Sequence, residues 1–213
     1  MSARIGVLGG TFDPIHYGHL AIAEEARVAL RLDRVLLVPA GRQPLKHGSH
    51  VATPQQRLEM ARLACAGNDA LEVSPIEVER PGPSYTVSTL EQLRDAGLGT
   101  LYFILGADAL ADLHRWHQAQ RIPELAHLVA VARPGHPPDL EALEARLPGV
   151  RERLTVLEGP RLEISSTDLR RRVAAGRPIR YLTPDPVVEY IARHRLYRSG
   201  SPTDDERADT VTG

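Results

Sequence analysis

Short apolar runs alternate with longer amphipathic stretches along this chain, and that alternation restricts the fold more than any other feature. The apolar runs are typical of buried strands, and they lie at Arg4–Leu8, Val35–Pro39, Leu71–Ser74, Leu101–Leu105 and Leu128–Ala132. Helical patterns fill the gaps, at Tyr17–Leu30, at Thr53–Ala66, and in stretches that include Glu91–Ala96 and Pro123–His127. Strands that alternate with helices form parallel sheets covered on both faces. We therefore expect an α/β fold, a Rossmann-like doubly wound parallel sheet with helices on both faces, in a single domain.

The domain boundaries follow from composition. No linker long enough to separate two domains interrupts residues 1–198, and Arg133–Asp139, which is rich in Pro and Gly, is typical of a loop. From Ser199 onward the chain turns to Ser, Thr, Asp and Glu with few residues that could be buried. We therefore predict one domain over residues 1–198 and a disordered acidic and polar tail over residues 199–213.

Charge and cysteine content exclude several classes of protein. The 213 residues carry a formal net charge of −1 and have a pI near 6.8, so neither a broad nucleic-acid surface nor a membrane surface is indicated. No apolar stretch approaches the length of a membrane span, and no basic-then-apolar leader is present. The single cysteine, Cys65, lies in an apolar helical pattern and is predicted to be a core residue. We expect a cytoplasmic protein that binds small molecules.

The first candidate site lies directly after the first apolar run. Gly9 and Gly10 are predicted to form a turn that opens a helix, and the free N–H groups of a helix N-terminus attract anions such as phosphate. Two glycines also let a ligand approach the backbone closely. His16 and His19 are three residues apart, which on a helix places both on one face, and Pro14 restrains the turn before them. This region is therefore a candidate phosphate site.

A second candidate site lies near the end of the predicted domain. Ile164 precedes Ser165, Ser166 and Thr167, which are typical residues for the N-terminus of a helix, and Arg170 follows about one turn later. A capped helix with a basic exposed face would explain the same residues. In combination with the first site, however, the segment predicts a second group of phosphate donors.

Between these two sites the sequence contains candidates for a third role. Gly106 and Asp108 follow the fourth apolar run, so they should lie at the same edge of the sheet as Gly9 and Gly10. Trp116, the single tryptophan, has polar and charged neighbours and does not resemble a core residue. Large aromatic side chains in such places often stack on planar ligands, although a half-buried packing role fits equally well.

The pattern Gly-x-Phe-Asp-Pro-x-His-x-Gly-His, here residues 10–19, resembles the signature of the nucleotidyltransferase superfamily of adenylyltransferases, and residues 164–170 resemble its Ile-Ser-Ser-Thr-x-x-Arg element. From Arg4 to Tyr197 the chain resembles the bacterial nicotinate-mononucleotide adenylyltransferases. The resemblance implies that adenylyl transfer from ATP to nicotinate mononucleotide forms deamido-NAD and pyrophosphate in NAD biosynthesis. It also implies an ATP-binding set, which comprises Gly9, Gly10, Thr11, Phe12, His16, His19, Gly106, Asp108, Ile164, Ser165, Ser166, Thr167 and Arg170.

The same resemblance implies catalytic and acceptor-binding residues. The catalytic set is His16, His19, Lys46 and Arg170, and the acceptor-binding set is Lys46, Tyr85, Thr86, Trp116 and Arg133. Trp116 would stack on the pyridine ring, Thr86 would lie at the nicotinate carboxylate, Asp108 near a ribose and Lys46 near phosphates. The chain differs at Ser88, where members of the family often have aspartate. The difference concerns the acceptor end alone.

The expected chemistry needs positive charge and alignment rather than a general base. A phosphate monoester is largely dianionic at neutral pH, because its second pKa is about 6, and is therefore already a nucleophile. We expect Mg²⁺ to accompany ATP and to bridge pyrophosphate oxygens with few protein ligands. Two histidines could also bind zinc, but no third ligand of comparable quality lies near them, so we predict no metal site built by the protein.

Three alternatives remain at this stage. The acceptor could be 4′-phosphopantetheine, although enzymes of that kind are shorter chains and usually have threonine at the position of His16. It could also be nicotinamide mononucleotide, the amide rather than the acid. The protein could instead be a nucleotide sensor without catalysis, although a sensor would not need donors for a leaving group. A homo-oligomer is possible, but the sequence does not determine it.

Overall fold

The structure is a computed structural model that describes residues 2–43, 52–132, 135 and 137–198. In these ranges six strands form a single sheet in the order β3-β2-β1-β4-β5-β6, and every neighbouring pair is parallel. The strands are β1 (Arg4–Gly10), β2 (Arg34–Pro39), β3 (Leu71–Val73), β4 (Thr100–Gly106), β5 (His127–Ala132) and β6 (Leu154–Glu158). This is the strand order of a doubly wound sheet.

Nine α-helices within the described ranges connect and follow these strands. They are α1 (Tyr17–Ala29), α2 (Pro54–Cys65), α3 (Ile76–Glu79), α4 (Thr86–Asp95), α5 (Ala107–Ala111), α6 (Ile122–Leu125), α7 (Leu140–Arg146), α8 (Ser166–Ala174) and α9 (Asp185–Arg193). The helix pattern at Thr53–Ala66 is confirmed, and α2 begins with a capping box in which Thr53 Oγ1 accepts from Gln56 N and the Gln56 side chain accepts from Thr53 N.

Successive residues of each strand point to opposite faces of the sheet, and each face has its own apolar core. In β2, Val35 and Leu37 pack with α1, α2, α8 and α9, whereas Leu36 and Val38 pack with α4, α6 and α7. Both faces of a parallel sheet must be covered because its strands are apolar on both sides. Cys65 lies in the first of these cores, as predicted.

The fold places a crevice at the carboxyl ends of β1 and β4. These strands are neighbours in the sheet, and the strand order reverses direction between them. In open parallel sheets, ligands bind at this reversal, outside the carboxyl ends of the strands. Gly10 ends β1 and Gly106 ends β4, so the two glycine segments that the sequence analysis selected lie at the same edge.

The α/β prediction and the first five strands are confirmed, with differences at their ends. β1 continues through Gly10, so the two glycines belong to the strand and not to a turn that opens a helix, and α1 begins seven residues later at Tyr17. The third strand ends at Val73 rather than at Ser74. The helix predicted to include Pro123–His127 ends at Leu125, because His127 already pairs with Tyr102 in the sheet.

Three predictions concern residues outside the described ranges. These are the catalytic and acceptor-binding Lys46, the acceptor-binding Arg133 and the tail over residues 199–213. They stay predictions. Among the helices that the structure does describe, none has the length and apolar character needed to cross a membrane.

Candidate active site

The backbone after β1 is shaped by the contact between Gly10 and Phe12. A Cβ atom on Gly10 would lie 2.7 Å from the Phe12 ring, so a larger residue at position 10 would displace that ring. Phe12 is buried and has a φ of 53°, in the left-handed region that few side-chain-bearing residues adopt. Its ring packs edge-on against His19, with centroids 5.0 Å apart. Gly10 and Phe12 therefore fix one side of the His19 imidazole.

His16 and His19 lie together at the N-terminus of α1. His16 is the N-cap residue and His19 is the third residue of the helix, so His16 precedes the helix instead of lying on its face as predicted. The rings are nonetheless stacked, with centroids 3.7 Å apart and planes 23° apart. The backbone N–H of His16 donates a hydrogen bond to Nδ1 of His19 at 3.2 Å. The pair forms one compact unit beside the end of β1.

Burial keeps both imidazoles neutral at physiological pH. It lowers the pKa of His16 from its ordinary value of 6.5 to about 4, and Nδ1 of His16 is buried without a hydrogen-bond partner among the described residues. The pKa of His19 is held well below 6.5 by burial and by the neighbouring His16 ring. Because Nδ1 of neutral His19 accepts a hydrogen bond, its proton is on Nε2. His19 is thus a neutral donor through Nε2–H.

The second predicted phosphate segment packs directly on the first. The Ser166 hydroxyl donates to the carbonyl oxygen of Pro14 at 2.9 Å, and Nη1 of Arg170 donates to that of Asp13 at 2.7 Å. Ser165 is the N-cap of α8, and its Oγ accepts from Asp168 N. The hydroxyl proton of Ser166 is therefore used in a bond within the protein. The donors that remain for an anion are the first backbone N–H groups of α8, which have no acceptor within the helix.

Residues from the carboxyl-terminal part of the chain support the loop that carries this motif. The Tyr197 hydroxyl donates to Oδ1 of Asp13 at 2.6 Å, and Oδ1 also accepts from Ala52 N. Burial and the Asp13 carboxylate raise the pKa of Tyr197 well above 10, so it remains a donor. The Thr183 hydroxyl donates to the carbonyl oxygen of Ile15 at 2.7 Å. Asp13 and Ile15 of this loop are thus held by side chains far away in sequence.

Arg57 supports the backbone of the candidate site, and the sequence analysis missed it. Its guanidinium is almost completely buried and donates to the carbonyl oxygens of Thr11, Gly41 and Ala52 at 2.7, 3.0 and 3.3 Å. Thr11 also donates through its hydroxyl to the Gln43 side chain at 2.8 Å. No local signal reveals this residue, because an arginine in an amphipathic helix is ordinarily exposed. Its burial and the several partners that a buried charge needs are visible only in the fold.

The carboxyl end of β4 provides open space. A Cβ atom on Gly106 would meet nothing within 4 Å, and one on Gly9 would meet only Phe103, at 3.7 Å. Asp108 lies in the first turn of α5 and is exposed. Internal packing therefore requires a glycine at position 10 but not at positions 9 and 106. The lack of a side chain at Gly9 and Gly106 leaves both strand ends accessible to a ligand.

The predicted acceptor residues gather around the N-terminus of α4. Tyr85 is the N-cap residue of α4, Thr86 is its first residue, and the first turn contains no acidic residue. The Tyr85 ring stacks on His117 with centroids 4.2 Å apart. Trp116 is half-buried and packs edge-on against Phe103, with centroids 6.1 Å apart. Trp116 therefore has a packing role at the margin of the core, and the expectation that it lies outside the core is only partly right.

No group of three or more His, Cys, Asp or Glu side chains in the described ranges is arranged to hold a metal ion. Taken together, the structure joins the loop after β1, which leads into the histidine pair, to the N-terminal part of α8 by hydrogen bonds, and places Gly106 on the neighbouring strand. Neutral imidazole donors, a guanidinium and helix N-termini are suited to binding a chain of phosphates.

A doubly wound sheet with these two candidate phosphate segments is typical of a nucleotidyltransferase, and the model of the cytidylyltransferase-like family matches residues 7–172. The chain belongs to this family, and within it to the nicotinate-nucleotide adenylyltransferases. A probable nicotinate-nucleotide adenylyltransferase of Roseiflexus sp. (strain RS-1) is 68% identical over 92% of this chain and 99% of its own length. One of Herpetosiphon aurantiacus is 49% identical over 91% and 98%.

Solved structures show the same fold at low sequence identity. The chain is similar to Plasmodium falciparum nicotinic acid mononucleotide adenylyltransferase complexed with NaAD, with a TM-score of 0.74 and 19% identity over 92% of this chain and 97% of that chain. The same Plasmodium enzyme complexed with APC matches with a TM-score of 0.71. At this identity the likeness concerns the fold alone.

Proposed function

We propose that this protein transfers the adenylyl group of ATP to nicotinate mononucleotide, forming deamido-NAD and releasing pyrophosphate. Family membership supports the reaction class, and one observation carries the assignment to this site. The hydrogen bonds from Ser166 to Pro14 and from Arg170 to Asp13 join the histidine motif to the N-terminus of α8. The two segments can therefore act on a single triphosphate.

The reaction is an in-line displacement at the α-phosphorus of ATP. An oxygen of the acceptor phosphate forms a bond to that phosphorus while the bond to the oxygen that bridges the α- and β-phosphates breaks, and pyrophosphate carries away the electron pair. The acceptor phosphate is largely dianionic at neutral pH and needs no base to attack. The protein therefore contributes alignment of the two phosphates and stabilisation of the charge that develops on the oxygens.

The histidine pair and Arg170 are the donors that we assign to this charge. His19 offers Nε2–H, because its Nδ1 is occupied by the His16 backbone. His16 is buried beside it, and we assign both to the α- and β-phosphate region. Arg170 is fixed through Asp13 and faces the leaving group in this assignment. Neutral, preorganised donors of this kind stabilise a transition state without reorganising when charge develops.

Magnesium is proposed to enter as part of the substrate, as the complex of Mg²⁺ with ATP. Bound to pyrophosphate oxygens, the ion would neutralise charge on the leaving group. Its preferred ligands are oxygen atoms, which the phosphates themselves supply in this proposal. Lys46 is proposed to add a further positive charge near the phosphates.

The acceptor is proposed to bind at the N-terminus of α4. The N–H groups of the first turn favour a carboxylate, and no acidic side chain in that turn opposes one. Thr86 begins the helix there, and Tyr85 and Trp116 supply aromatic surfaces for the pyridine ring. This arrangement favours the acid, nicotinate mononucleotide, over the amide.

A direct assay distinguishes the proposed reaction from the alternatives. Purified protein is incubated with ATP and Mg²⁺ plus nicotinate mononucleotide, nicotinamide mononucleotide or 4′-phosphopantetheine, and the product is identified by mass spectrometry. We expect deamido-NAD and one pyrophosphate for each molecule formed, with much slower turnover of the other two acceptors. Faster turnover of another acceptor would change the substrate, and ATP binding without pyrophosphate release under any condition would indicate a sensor.

A further inference from the structure

A buried polar network lies between the two halves of the proposed site, and none of its members belongs to the ATP-binding or acceptor-binding sets given above. We call it the Gly41 network, and its members are Gly41, Arg57, Glu77, Ser84 and Thr89. Arg57, Glu77 and Thr89 are buried polar side chains, with exposed fractions of 1%, 9% and 3%. Buried polar groups of this kind are stable only where hydrogen bonds satisfy them. The bonds of this network connect the loop after β1, the segment after β2 and α4.

On the ATP side, the network is fixed to the loop after β1. Arg57 donates from Nη1 to the carbonyl oxygen of Thr11 and from Nη2 to that of Gly41. Thr11 immediately precedes Phe12, whose ring contacts His19. The rigid fork of the guanidinium therefore sets the distance between the histidine motif and the segment after β2.

On the acceptor side, the network is fixed to the segment that leads into α4. Gly41 N donates to Oγ of Ser84 at 3.0 Å, and Ser84 N donates to the carbonyl oxygen of Arg42 at 2.8 Å. The Ser84 side chain also lies close enough to the Glu77 carboxylate to oppose the rise in the pKa of Glu77. Both the backbone and the side chain of Ser84 are therefore restrained. Ser84 lies immediately before the predicted acceptor residues Tyr85 and Thr86.

Glu77 joins this segment to the body of α4. Its Oε1 accepts from the Thr89 hydroxyl at 2.6 Å, and Thr89 Oγ1 in turn accepts from Arg80 at 3.0 Å. Thr89 lies one turn into α4, so Glu77 contacts both the helix itself and Ser84, which lies two residues before the helix begins. Burial raises the pKa of Glu77, and the bonds from Thr89 and Ser84 and the charges of Arg80 and Arg57 oppose that rise.

Gly41 is the point at which the two sides meet, and its environment leaves no space for a side chain. A Cβ atom there would collide with the backbone carbonyl of Glu77 and would lie 3.1 Å from Oγ of Ser84. The N–H of Gly41 serves the acceptor side, and its carbonyl oxygen serves Arg57. The backbone of α3 therefore lies directly against this glycine.

We propose that Glu77, acting through Ser84 and Thr89, is a positioning residue that holds the N-terminus of α4 in register with the triphosphate site. The inference rests on the proposed function, because it assigns the acceptor mononucleotide to that helix N-terminus. Glu77 itself touches no substrate in this proposal. Its removal should therefore weaken acceptor binding selectively and leave ATP binding and the histidine motif unchanged.

Steady-state kinetics on four variants tests this selectivity. Glu77→Ala and Ser84→Ala should each raise the KM for nicotinate mononucleotide about tenfold, a ratio that corresponds to about 1.4 kcal/mol of binding free energy. The KM for ATP should remain within about twofold, as expected where no contact to ATP is lost. Glu77→Gln, which retains a hydrogen-bonding group of the same size, should restore most of the acceptor affinity. Glu79→Ala removes an exposed carboxylate from the same helix and should change neither KM.

A double variant tests whether Glu77 and Ser84 act together. If they form one positioning unit, Glu77→Ala combined with Ser84→Ala should raise the acceptor KM no more than either change alone, because coupled residues are not additive. A loss of kcat and of thermal stability with both KM values unchanged would show a role in folding only and would overturn the proposal. So would equal increases in both KM values.

Hydrogen exchange supplies a readout that does not depend on the reaction. Amide exchange in the first turn of α4 should be faster in Glu77→Ala than in the wild type, and Glu77→Gln should restore the wild-type rate. Unchanged exchange in folded Glu77→Ala would overturn the positioning role even if the wild type forms deamido-NAD. Conversely, faster exchange in a protein whose wild type forms no pyridine dinucleotide would support the positioning role and refute the proposed function.

Discussion

Arg170 and Asp13 are 157 positions apart in the chain, and the guanidinium of the first donates to the backbone carbonyl of the second at 2.7 Å. That bond places a positive charge beside the loop that leads into the histidine pair. Arg170 is half-buried, whereas its neighbour Arg171 is exposed on the same helix. The two arginines therefore provide a matched comparison.

We expect Arg170→Ala to lower kcat by about a hundredfold or more, the effect typical of removing one preorganised donor. Arg171→Ala removes the same charge from α8 without touching the loop, and its kcat should remain near the wild-type value. Initial rates of pyrophosphate release at saturating substrates measure both. Equal losses in the two variants would show that α8 contributes only general positive charge.

His16→Ala and His19→Ala should each reduce kcat by about a hundred- to a thousandfold while the protein stays folded. The reason is that each removes a donor from the stacked pair at the N-terminus of α1. His127→Asn is the control, because His127 starts β5 at the opposite end of the sheet from the strand ends that form the site. Circular dichroism checks the fold, and near-normal turnover of either alanine variant would contradict its assigned role.

The lowered pKa of His16 predicts how stability depends on pH. Between pH 6.5 and about 4 the unfolded chain protonates this histidine while the folded chain does not, so folding loses free energy as pH falls through that window. The loss from this residue is about 3 kcal/mol in total, at about 1.4 kcal/mol per pKa unit. Above pH 6.5 the contribution is constant, because the residue is neutral in both states.

Urea unfolding at several pH values, for the wild type and for His16→Asn, measures this contribution. The free energy of unfolding of the wild type should fall more steeply than that of the variant as pH drops below 6.5. Parallel curves for the two proteins would show that the His16 pKa is not lowered in the folded state.

Two glycines at neighbouring strand ends should respond differently to the same substitution. Gly10→Ala places a methyl group against the Phe12 ring and should lower the melting temperature. Gly106→Ala places one in open space, so its melting temperature should match the wild type while its KM for ATP rises. Thermal scans and kinetics separate these effects. A normal KM in Gly106→Ala would remove Gly106 from the ATP-binding set.

Trp116 is the single tryptophan of the chain, so intrinsic tryptophan fluorescence reports on one position. If the pyridine ring stacks on it, saturating nicotinate mononucleotide should quench or shift this emission, and ATP alone should change it much less. Trp116→Phe, which keeps an aromatic surface, should bind the acceptor better than Trp116→Ala. Unchanged emission under conditions of confirmed acceptor binding would place the ring elsewhere.

Local pattern predicts the buried strands well, because both faces of a parallel strand must be apolar. β6 was not predicted, because it lies at the edge of the sheet and three of its five residues are exposed. It therefore lacks the apolar run that identifies the other five strands. The helix α9 was also not predicted, although the resemblance to the adenylyltransferase family covers its residues. Its apolar residues Val187 and Ile191 pack on the sheet only in the assembled fold.

The candidate site shows the same division between local and distant causes. His16, His19 and Arg170 could be selected because their motifs are short and contiguous in sequence. Arg57 could not, because its partners Thr11 and Gly41 are separated from it by 46 and 16 residues, and only the tertiary structure brings their carbonyl oxygens together. Glu77 could not be selected either, because nothing in the local sequence distinguishes a buried carboxylate from the exposed carboxylates beside it.

The hydrogen bond from Tyr197 to Asp13 has a consequence for biosynthesis of the protein. The loop near the amino terminus is complete only when a residue close to the other end of the domain has been added. A ribosome that has translated the first eight helices has therefore made every phosphate donor assigned above, yet the Tyr197 hydroxyl that donates to Asp13 is still missing. The polypeptide can therefore complete the hydrogen bonds of this loop only in the last steps of translation.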